Sequence, residues 1–422
     1  MKKYLISLAT FFAFTCAFGE SQPKENEKEF IKENMEFAAK QYRVMLDAQK
    51  GNKGIPRTIT GKGKTACVSI YDWTSGFFPG SLWYISDFLG DKELQGAALD
   101  YTTRLTPAQK FTGNHDIGFI MYCSFGNANR FAPQAGYEDI LKESARSLST
   151  RFRPKAGVIQ SWNFFRSWHG DKTYDFPVII DNMMNLELLF HVSKASGDNS
   201  FRDIAISHAE KTMKNQVRKD HSCFHIIYYD KNTGAPIKGE TSQGYSDNSA
   251  WSRGQAWGIY GFTMVYRWTQ DKRFLKTAQK MADFYLDHPN LPSDKVAWWD
   301  FNAYQKGYTP GVRSNANNVV MNYRDASAAA CVASALMELS TYSKGAKSEK
   351  YLEGGKQILH SLASPAYRAN LGENANFIIK HCVGAIPHNN EIDVPLNYAD
   401  YYFVEALHRY NKLLNNQPLV LE

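Results

Sequence analysis

The chain has 422 residues, of which 43% are hydrophobic and 22% are charged. These proportions are typical of a soluble globular protein with a large core. The formal net charge of +7 is a mild basic bias without a long run of like charges, which argues against nucleic-acid binding. A weak positive field of this kind favours the approach of an acidic small substrate instead.

The first residues have the pattern of a secretion signal. Two lysines precede an apolar run from Tyr4 to Phe18, and a small-x-small cleavage site ends at Gly19. The run is too short to span a membrane. We therefore predict a signal peptide over residues 1–19 and a periplasmic or secreted protein. Cys16 is a less favoured lipid-attachment site, because the residues before it match a lipoprotein signal poorly.

The chain after this signal starts with a polar stretch. Residues 20–29 are predicted to be a linker, and apolar spacing predicts a helix from about Phe30 to Gln49. Gly51–Lys64, which is rich in Gly and Lys, is expected to be an exposed loop. An aromatic-rich turn over Tyr71–Gly80 then leads into a helix that ends near Phe88.

From this point helical runs and short turns alternate. About twelve helices are predicted, and the later turns recur at a period of roughly 70 residues, which is typical of stacked helical hairpins. Val158–Gln160 and Phe224–Tyr229 have the pattern of short strands in loops. The predicted turns are Gly90–Lys92, Gly126–Asn129, Gly197–Asn199, Gln270–Lys272 and Ser343–Gly345.

Twelve helices arranged as six hairpins predict the fold class. We expect an all-α, double-layered (α/α)6 barrel in a single domain over residues 30–422. The inner helices should be apolar on all faces, as Asp325–Leu336 is, while the outer ones should be amphipathic. Inner helices of such a barrel run in the same direction, so their N-termini gather at one end.

Two aspartates stand at the start of apolar helical runs. Asp116 precedes Ile117–Tyr122, and Asp181 precedes Met183–Leu189. An aspartate in this position is a good N-cap, because its carboxylate accepts backbone N–H groups. The alternative is that the two carboxylates meet at one end of the barrel and share acid/base work.

Other polar and aromatic residues crowd the predicted helix starts and loops. The densest stretch is Gln243–Trp257, which is equally consistent with a capped helix entry that has aromatic core residues. An arginine among tryptophans also suits a carboxylate on a sugar ring. The candidate binding residues are Trp73, His115, Trp162, His225, Gln243, Trp251, Arg253 and Trp257.

Several other chemistries have weak support. The sequence contains no P-loop and no Gly-x-Ser-x-Gly elbow, so nucleotide binding and serine hydrolase chemistry are not expected. His221-x-Cys223-x-His225 has no nearby fourth ligand, which makes a metal site improbable. We therefore predict neither a metal nor a cofactor.

Five ordered motifs resemble glycoside hydrolase family 88, the unsaturated glucuronyl hydrolases. The resemblance runs from about Phe30 to about Leu413. The motifs are Asp72–Gly80, His115–Phe119, Asp181–Asn185, Ser252–Trp257 and Asp393–Phe403.

The resemblance implies a six-hairpin barrel and a specific reaction. Members of this family remove a 4,5-unsaturated uronic acid from the non-reducing end of lyase-made oligosaccharides by hydrating its vinyl ether. It also implies that Asp181 is the general acid/base and that Asp116 assists it. Gln243 and Arg253 are then expected to contact the uronate, with the two histidines as polar neighbours and the four tryptophans as pocket walls.

Some alternatives stay open at this point. The Ser-x-x-Ser-x-Lys pattern by which some family members accommodate sulfate is missing from His381–Pro387, so the adjoining sugar is undetermined. An unsaturated rhamnogalacturonyl hydrolase acting on pectin fragments is the nearest rival. A sugar epimerase and a non-catalytic glycan-binding protein are rivals from other classes, and the latter has no need of Asp181.

Overall fold

Two concentric layers of helices make up the computed structural model, which describes residues 21–420. The inner elements are α2 (Phe77–Leu89), α4 and α5 (Ile117–Met121 and Asn127–Phe131, joined by a π-helical turn at Tyr122–Gly126), α7 (Leu186–Ser196), α9 (Ser252–Thr269), α11 (Ala326–Tyr342) and α13 (Asn397–Leu414). The outer helices are α1 (Ser21–Ala48), α3 (Lys92–Arg104), α6 (Tyr137–Ser149), α8 (Asn199–Asn215), α10 (Lys272–Asp287) and α12 (Ala346–Ala363).

The two layers differ in how their surfaces are buried. Every residue of α11 from Ala326 to Ser340 is buried, whereas α10 buries one stripe that contains Phe274, Ala278 and Met281. Each inner element packs against the next, and α13 returns to α2, so the ring is closed. Each outer helix packs on its inner partner. The predicted (α/α)6 barrel is confirmed, because helices that are apolar on all faces need a second layer around them.

The turns between inner and outer helices follow the predicted pattern with one exception. Gly90 and Gly197 end α2 and α7 in the left-handed conformation that favours glycine. The turn predicted at Gly126–Asn129 is wrong, because the chain stays helical there as far as Phe131. Gly126 has helical backbone angles, and the ring of Tyr122 covers the side where a Cβ atom would project.

The predicted linker over residues 20–29 is also wrong from Ser21 onward, because α1 begins at that residue. Charged residues in this stretch pair along the helix, as Lys28 does with Glu25 at 3.0 Å. Glu27 also contacts His360 of α12 at 3.0 Å. The predicted signal peptide and Cys16 lie outside the described residues.

The segment Gly51–Lys64 contains a strand where an exposed loop was expected. β1 (Ile55–Ile59) pairs with β2 (Thr65–Val68) in an antiparallel hairpin, and Ile55 is fully buried. Arg57 donates to Asp72 and makes a two-pronged contact with Glu391. Partners that lie far away in the sequence therefore order a stretch whose local composition is typical of a loop.

Short antiparallel strands occupy several of the remaining loops. The predicted strands at Val158–Gln160 and Phe224–Tyr229 are confirmed. The pairs are β3 (Phe152–Arg153) with β4 (Val158–Ile159), β5 (Phe165–Arg166) with β6 (Thr173–Tyr174), β7 (Pro177–Ile179) with β8 (Ile226–Tyr229), β8 with β9 (Pro236–Glu240), and β10 (Cys382–Ala385) with β11 (Asn390–Val394). Within residues 21–420, the helices are too short or too polar for any of them to cross a bilayer.

Candidate active site

The N-terminal ends of the inner helices meet at one end of the barrel, as predicted. The rings of Trp73, just before α2, and Tyr398, in the first turn of α13, have centroids 4.9 Å apart. Trp73 also packs against Phe119 of α4, at 5.5 Å. Arg253 at the start of α9 reaches Asp325 at the start of α11, with 3.1 Å between Nη1 and Oδ2. Residues far apart in the sequence thus form one site.

Both predicted acids lie in this region, and neither carboxylate caps a helix. Asp116 occupies the residue before α4, yet its side chain accepts no bond from the first turn. Asp181 lies inside a 3-10 turn formed by Ile180–Asn185, just before α7. Each residue is 7% exposed. The N-cap interpretation of the two side chains is therefore wrong.

A glycine allows the segments that carry the two acids to approach each other closely. A Cβ atom on Gly118 would lie 2.5 Å from the Cα atom of Asn185, so a larger residue cannot fit without a backbone shift. The side chain of Asn185 also accepts the backbone N–H of Phe119, at 2.9 Å. The first turn of α4 is thereby packed directly onto the 3-10 turn of Asp181.

Burial dominates the electrostatics of Asp181. Removal from water raises the pKa of this carboxyl from its usual value to about 7. The positive charge of Arg253, the local backbone and the N–H edge of Trp257 oppose the rise in pKa. A carboxyl with a pKa near neutrality can both give and take a proton at physiological pH.

Asp116 is held in an even less favourable place for a negative charge. Burial raises its pKa well above the usual value, and the charges of Asp181 and Asp72 raise it further, against the charge of Arg151. Its Oδ1 atom lies 3.3 Å from Nε2 of His115. Burial lowers the pKa of His115 to about 3, so this imidazole is neutral. The surroundings of Asp116 therefore favour its protonated, uncharged form.

The protonation of His225 is determined by its hydrogen bonds. Nδ1 accepts the backbone N–H groups of Ser242 at 3.0 Å and Gln243 at 3.1 Å. A ring nitrogen that accepts two N–H groups carries no proton, so the neutral ring holds its proton on Nε2. Nε2 lies 3.6 Å from Oδ2 of Asp181. Burial lowers the pKa of His225 well below its usual value, which makes the ring a neutral donor.

Arg253 is buried and already committed to protein acceptors. Nη1 donates to Asp325 and to the carbonyl of Val383, and Nη2 donates to the carbonyl of Gly384 at 2.6 Å. Nη2 also donates to Oε1 of Gln243 at 2.6 Å. Since a guanidinium only donates, Gln243 must present its oxygen to Arg253 and its NH2 group elsewhere. Nε is therefore the main Arg253 donor that remains for the predicted contact with the uronate.

The four predicted tryptophans lie at two depths. Trp73 and Trp162 are partly exposed, and Trp162 meets the edge of His225. Trp251 is buried and packs on His225, with ring centroids 4.4 Å apart. Trp257 is fully buried beneath Phe119. Their role as pocket walls stays a prediction.

The structure adds residues to this site that the sequence patterns did not single out. The ring of Tyr398 lies 5.5 Å from the guanidinium carbon of Arg253. Asp72 acts on the charge of Asp116. Both residues lie inside quoted motifs, so those motifs contained a signal for them. Arg151 also acts on Asp116, but it follows an amphipathic outer helix and carries no local signal.

Two curated enzymes are similar to this chain over nearly its full length. A curated unsaturated glucuronyl hydrolase of Formosa agariphila is 40% identical over 409 residues, which cover 96% of each chain. An unsaturated chondroitin disaccharide hydrolase of Streptococcus pyogenes serotype M1 is 30% identical, covering 91% of this chain and 92% of that one.

A solved structure gives the same result at the level of the fold. The crystal structure of an unsaturated glucuronyl hydrolase specific for heparin superposes with a TM-score of 0.83 at 43% identity, covering 91% of this chain and 98% of that chain. The family model for Glycosyl Hydrolase Family 88 matches residues 60–413. The chain therefore belongs to glycoside hydrolase family 88 and is a glycosidase.

Proposed function

We propose that the protein releases a 4,5-unsaturated uronic acid from the non-reducing end of lyase-made oligosaccharides, with Asp181 as general acid/base. One observation carries this proposal. Several of the buried donor groups that have no hydrogen-bond partner within residues 21–420 lie around Asp181. They include His225 Nε2, Trp251 Nε1, Arg253 Nε and the Tyr398 hydroxyl.

These donors form one connected group. His225 is 3.6 Å from Asp181 and packs on Trp251, and the guanidinium carbon of Arg253 lies 4.7 Å from the centroid of Trp251. Leaving so many buried donors unsatisfied is costly unless a bound group accepts from them. A uronate supplies acceptors through its carboxylate and ring oxygens, and a charged acceptor strengthens such bonds. The site therefore suits an anionic sugar.

The raised pKa of Asp181 suits hydration of a vinyl ether. The protonated carboxyl transfers its proton to C4 of the double bond, which leaves an oxocarbenium-like centre at C5. Asp181, now a carboxylate, takes a proton from a water molecule whose oxygen bonds to C5. The hemiketal then opens and the remaining oligosaccharide leaves. The acid is protonated again at the end of this sequence, as a general acid/base requires.

Asp116 and His225 have supporting roles in this scheme. In its protonated form, which burial favours, Asp116 can hydrogen-bond to sugar hydroxyls without adding a second negative charge next to Asp181. His225 keeps its proton on Nε2 and therefore donates, either to the Asp181 carboxylate or to the substrate. Because its pKa lies well below neutrality, His225 does not compete with Asp181 for the proton.

The relatives support glycosaminoglycan fragments as the substrate class. One solved relative is specific for heparin, and a curated one acts on unsaturated chondroitin disaccharides. The test is a panel of unsaturated disaccharides from chondroitin, hyaluronan, heparin, ulvan and pectin. Turnover of each is measured as the loss of ultraviolet absorbance of its conjugated double bond. We expect loss of absorbance and release of the next sugar with at least one glycosaminoglycan disaccharide.

Other outcomes of the same panel identify the rivals. Turnover of the pectin fragment alone would identify a rhamnogalacturonyl hydrolase. Interconversion of sugars without cleavage would identify an epimerase. Binding without any turnover would identify a glycan-binding protein, although such a protein has no use for a buried carboxyl with a pKa of about 7.

We also propose that residues 1–19 are removed during export to the periplasm or the medium. The charged start, the apolar run and the cleavage site before Glu20 support this. Mass spectrometry of the protein recovered from its native host tests the proposal. A mature chain that begins at Glu20 supports it, and an intact Met1 or a lipid on Cys16 contradicts it.

A further inference from the structure

Arg151 is a buried arginine that uses all of its donors on the segments around the active site. It is 4% exposed. Nη1 donates to the carbonyls of Thr112 at 2.8 Å and Gly113 at 3.2 Å. Nε donates to the carbonyl of Gln160 at 2.8 Å. Nη2 donates to the carbonyl of Ser161 at 3.3 Å and to Oδ1 of Asn163 at 3.2 Å. Five N–H groups therefore meet five acceptors.

The acceptors of Arg151 belong to two loops that carry site residues. Thr112 and Gly113 lead into His115 and Asp116, whereas Gln160–Asn163 contains Trp162. One backbone bond also joins the loops, from His115 N to Ser161 O at 3.2 Å. Arg151 is thus the main polar connection described between them.

The second loop is in turn bound to the segment of Asp181. The Ser161 hydroxyl accepts Ile179 N at 2.9 Å, and Ser161 N donates to Pro177 O at 3.0 Å. The side chain of Asn182, next to Asp181, donates to Ile159 O at 2.8 Å. A continuous hydrogen-bonded path therefore runs from the loop of Asp116 through Arg151 to the turn of Asp181.

The charge of Arg151 also has an unusual setting. All five hydrogen bonds of its guanidinium go to carbonyl and amide oxygens. Among the described residues, no carboxylate lies within 4 Å of it. A buried cation without an ion-pair partner is costly in a fold. Its charge acts on Asp116, which otherwise faces Asp181, Asp72 and neutral His115. A role of this side chain in the active site would account for the cost of burying its charge.

We propose that Arg151 is a positioning residue, whose planar fork fixes the loop of Asp116 relative to the loop of Trp162 and, through Ser161, to Asp181. It contacts neither substrate nor reacting atoms. A displacement of about 1 Å between catalytic groups can cost on the order of 100-fold in rate. Loss of the fork is therefore expected to lower kcat by about that factor.

The test compares Arg151→Ala, Arg151→Lys and Arg153→Ala on an unsaturated disaccharide that the wild-type enzyme turns over. Arg153 is the matched control. It lies two residues further on, in β3, and donates to Gln160 Oε1 at 3.0 Å, to Thr150 O and to Phe152 O, none of which belongs to the loop of Asp116. Lysine keeps the charge but lacks the planar fork. We expect Arg151→Ala and Arg151→Lys to lose about 100-fold in kcat and Arg153→Ala to stay near wild type.

Chemical rescue separates positioning from a merely structural role. Adding guanidinium at a sub-denaturing concentration should raise the kcat of Arg151→Ala at least tenfold, whereas adding ammonium should not. Circular dichroism and the thermal midpoint establish that each variant is folded, and Arg151→Lys serves if Arg151→Ala does not fold. Full activity of a folded Arg151→Lys, a loss below threefold in Arg151→Ala, or failure of guanidinium to rescue would each overturn the proposal.

The assay rests on the proposed function, but the two can fail separately. If the wild-type enzyme leaves the double bond of every disaccharide intact, the proposed function fails. If the wild-type enzyme is active and the variants behave like Arg153→Ala, only the positioning role of Arg151 fails.

Discussion

Aspartates stand at helix starts in both layers of the barrel, with opposite consequences. In the outer layer Asp91, Asp198 and Asp271 each accept backbone N–H groups from the helix that they begin. Hydrogen bonds from the side chain and the backbone N–H of Ser200 lower the pKa of Asp198, and those from the side chain and the backbone N–H of Arg273 lower the pKa of Asp271. In the inner layer Asp116 and Asp181 accept no such bond, and burial raises their pKa values.

An inner position alone does not leave a carboxylate without hydrogen-bond partners. Asp325 begins inner helix α11, where its Oδ1 atom accepts Ser327 N at 3.1 Å and its Oδ2 atom pairs with Arg253. That carboxylate is fully buried and yet satisfied on both oxygens. Asp181 differs in that its Oδ2 atom is buried and has no hydrogen-bond partner within residues 21–420, so it is open to a bound substrate.

The largest expected effect comes from Asp181→Asn. An amide of the same size cannot protonate carbon, so we expect kcat to fall on the order of 1,000-fold while substrate binding is retained. Loss of the double-bond absorbance measures the rate, and calorimetric titration measures binding. Asp198→Asn is the matched control, because asparagine caps a helix as well as aspartate does. Near-wild-type turnover by Asp181→Asn would show that another group is the acid.

The next effect is the pH dependence of kcat/KM, which reports the free enzyme. Because the pKa of Asp181 is raised to about 7, the carboxyl keeps its proton below this pH and loses it above. We expect the rate to fall by about tenfold per pH unit on the alkaline side of pH 7. An ordinary carboxyl would instead move this fall to about pH 4, as for a solvated aspartate. Asp198→Asn should leave the profile unchanged.

The smallest effects concern stability and have opposite signs in the two layers. Asp271→Ala removes a cap and should lower the free energy of unfolding by about 1 kcal/mol without changing kcat.

Asp181→Asn should raise the free energy of unfolding at pH 8. The folded state binds a proton at Asp181 more tightly than the unfolded state, so wild-type stability falls as pH rises from about 4 to about 7. Urea unfolding at pH 5 and pH 8 measures both.

Local sequence was a sound guide to the barrel and a weaker guide to irregular stretches. The run Asp325–Leu336, which is apolar on every side, predicted an inner helix, and α11 is an inner helix. Gly51–Lys64 misled because its composition does not reveal a distant partner: Arg57 is ordered by Glu391. Gly126–Asn129 misled because its turn-forming residue types lie in a continuous helical stretch, in which Tyr122 packs on Gly126.

The sequence by itself determined the class of fold, the family and the identity of the candidate acids, because these depend on periodicity and on motifs. Only the tertiary structure decided that Asp116 and Asp181 do not cap their helices, that His225 carries its proton on Nε2, and that Arg151 joins the loops. The physical reason is that pKa values and tautomers depend on burial and on hydrogen-bond partners. Those partners, such as His115 and Ser161, meet only when the barrel closes.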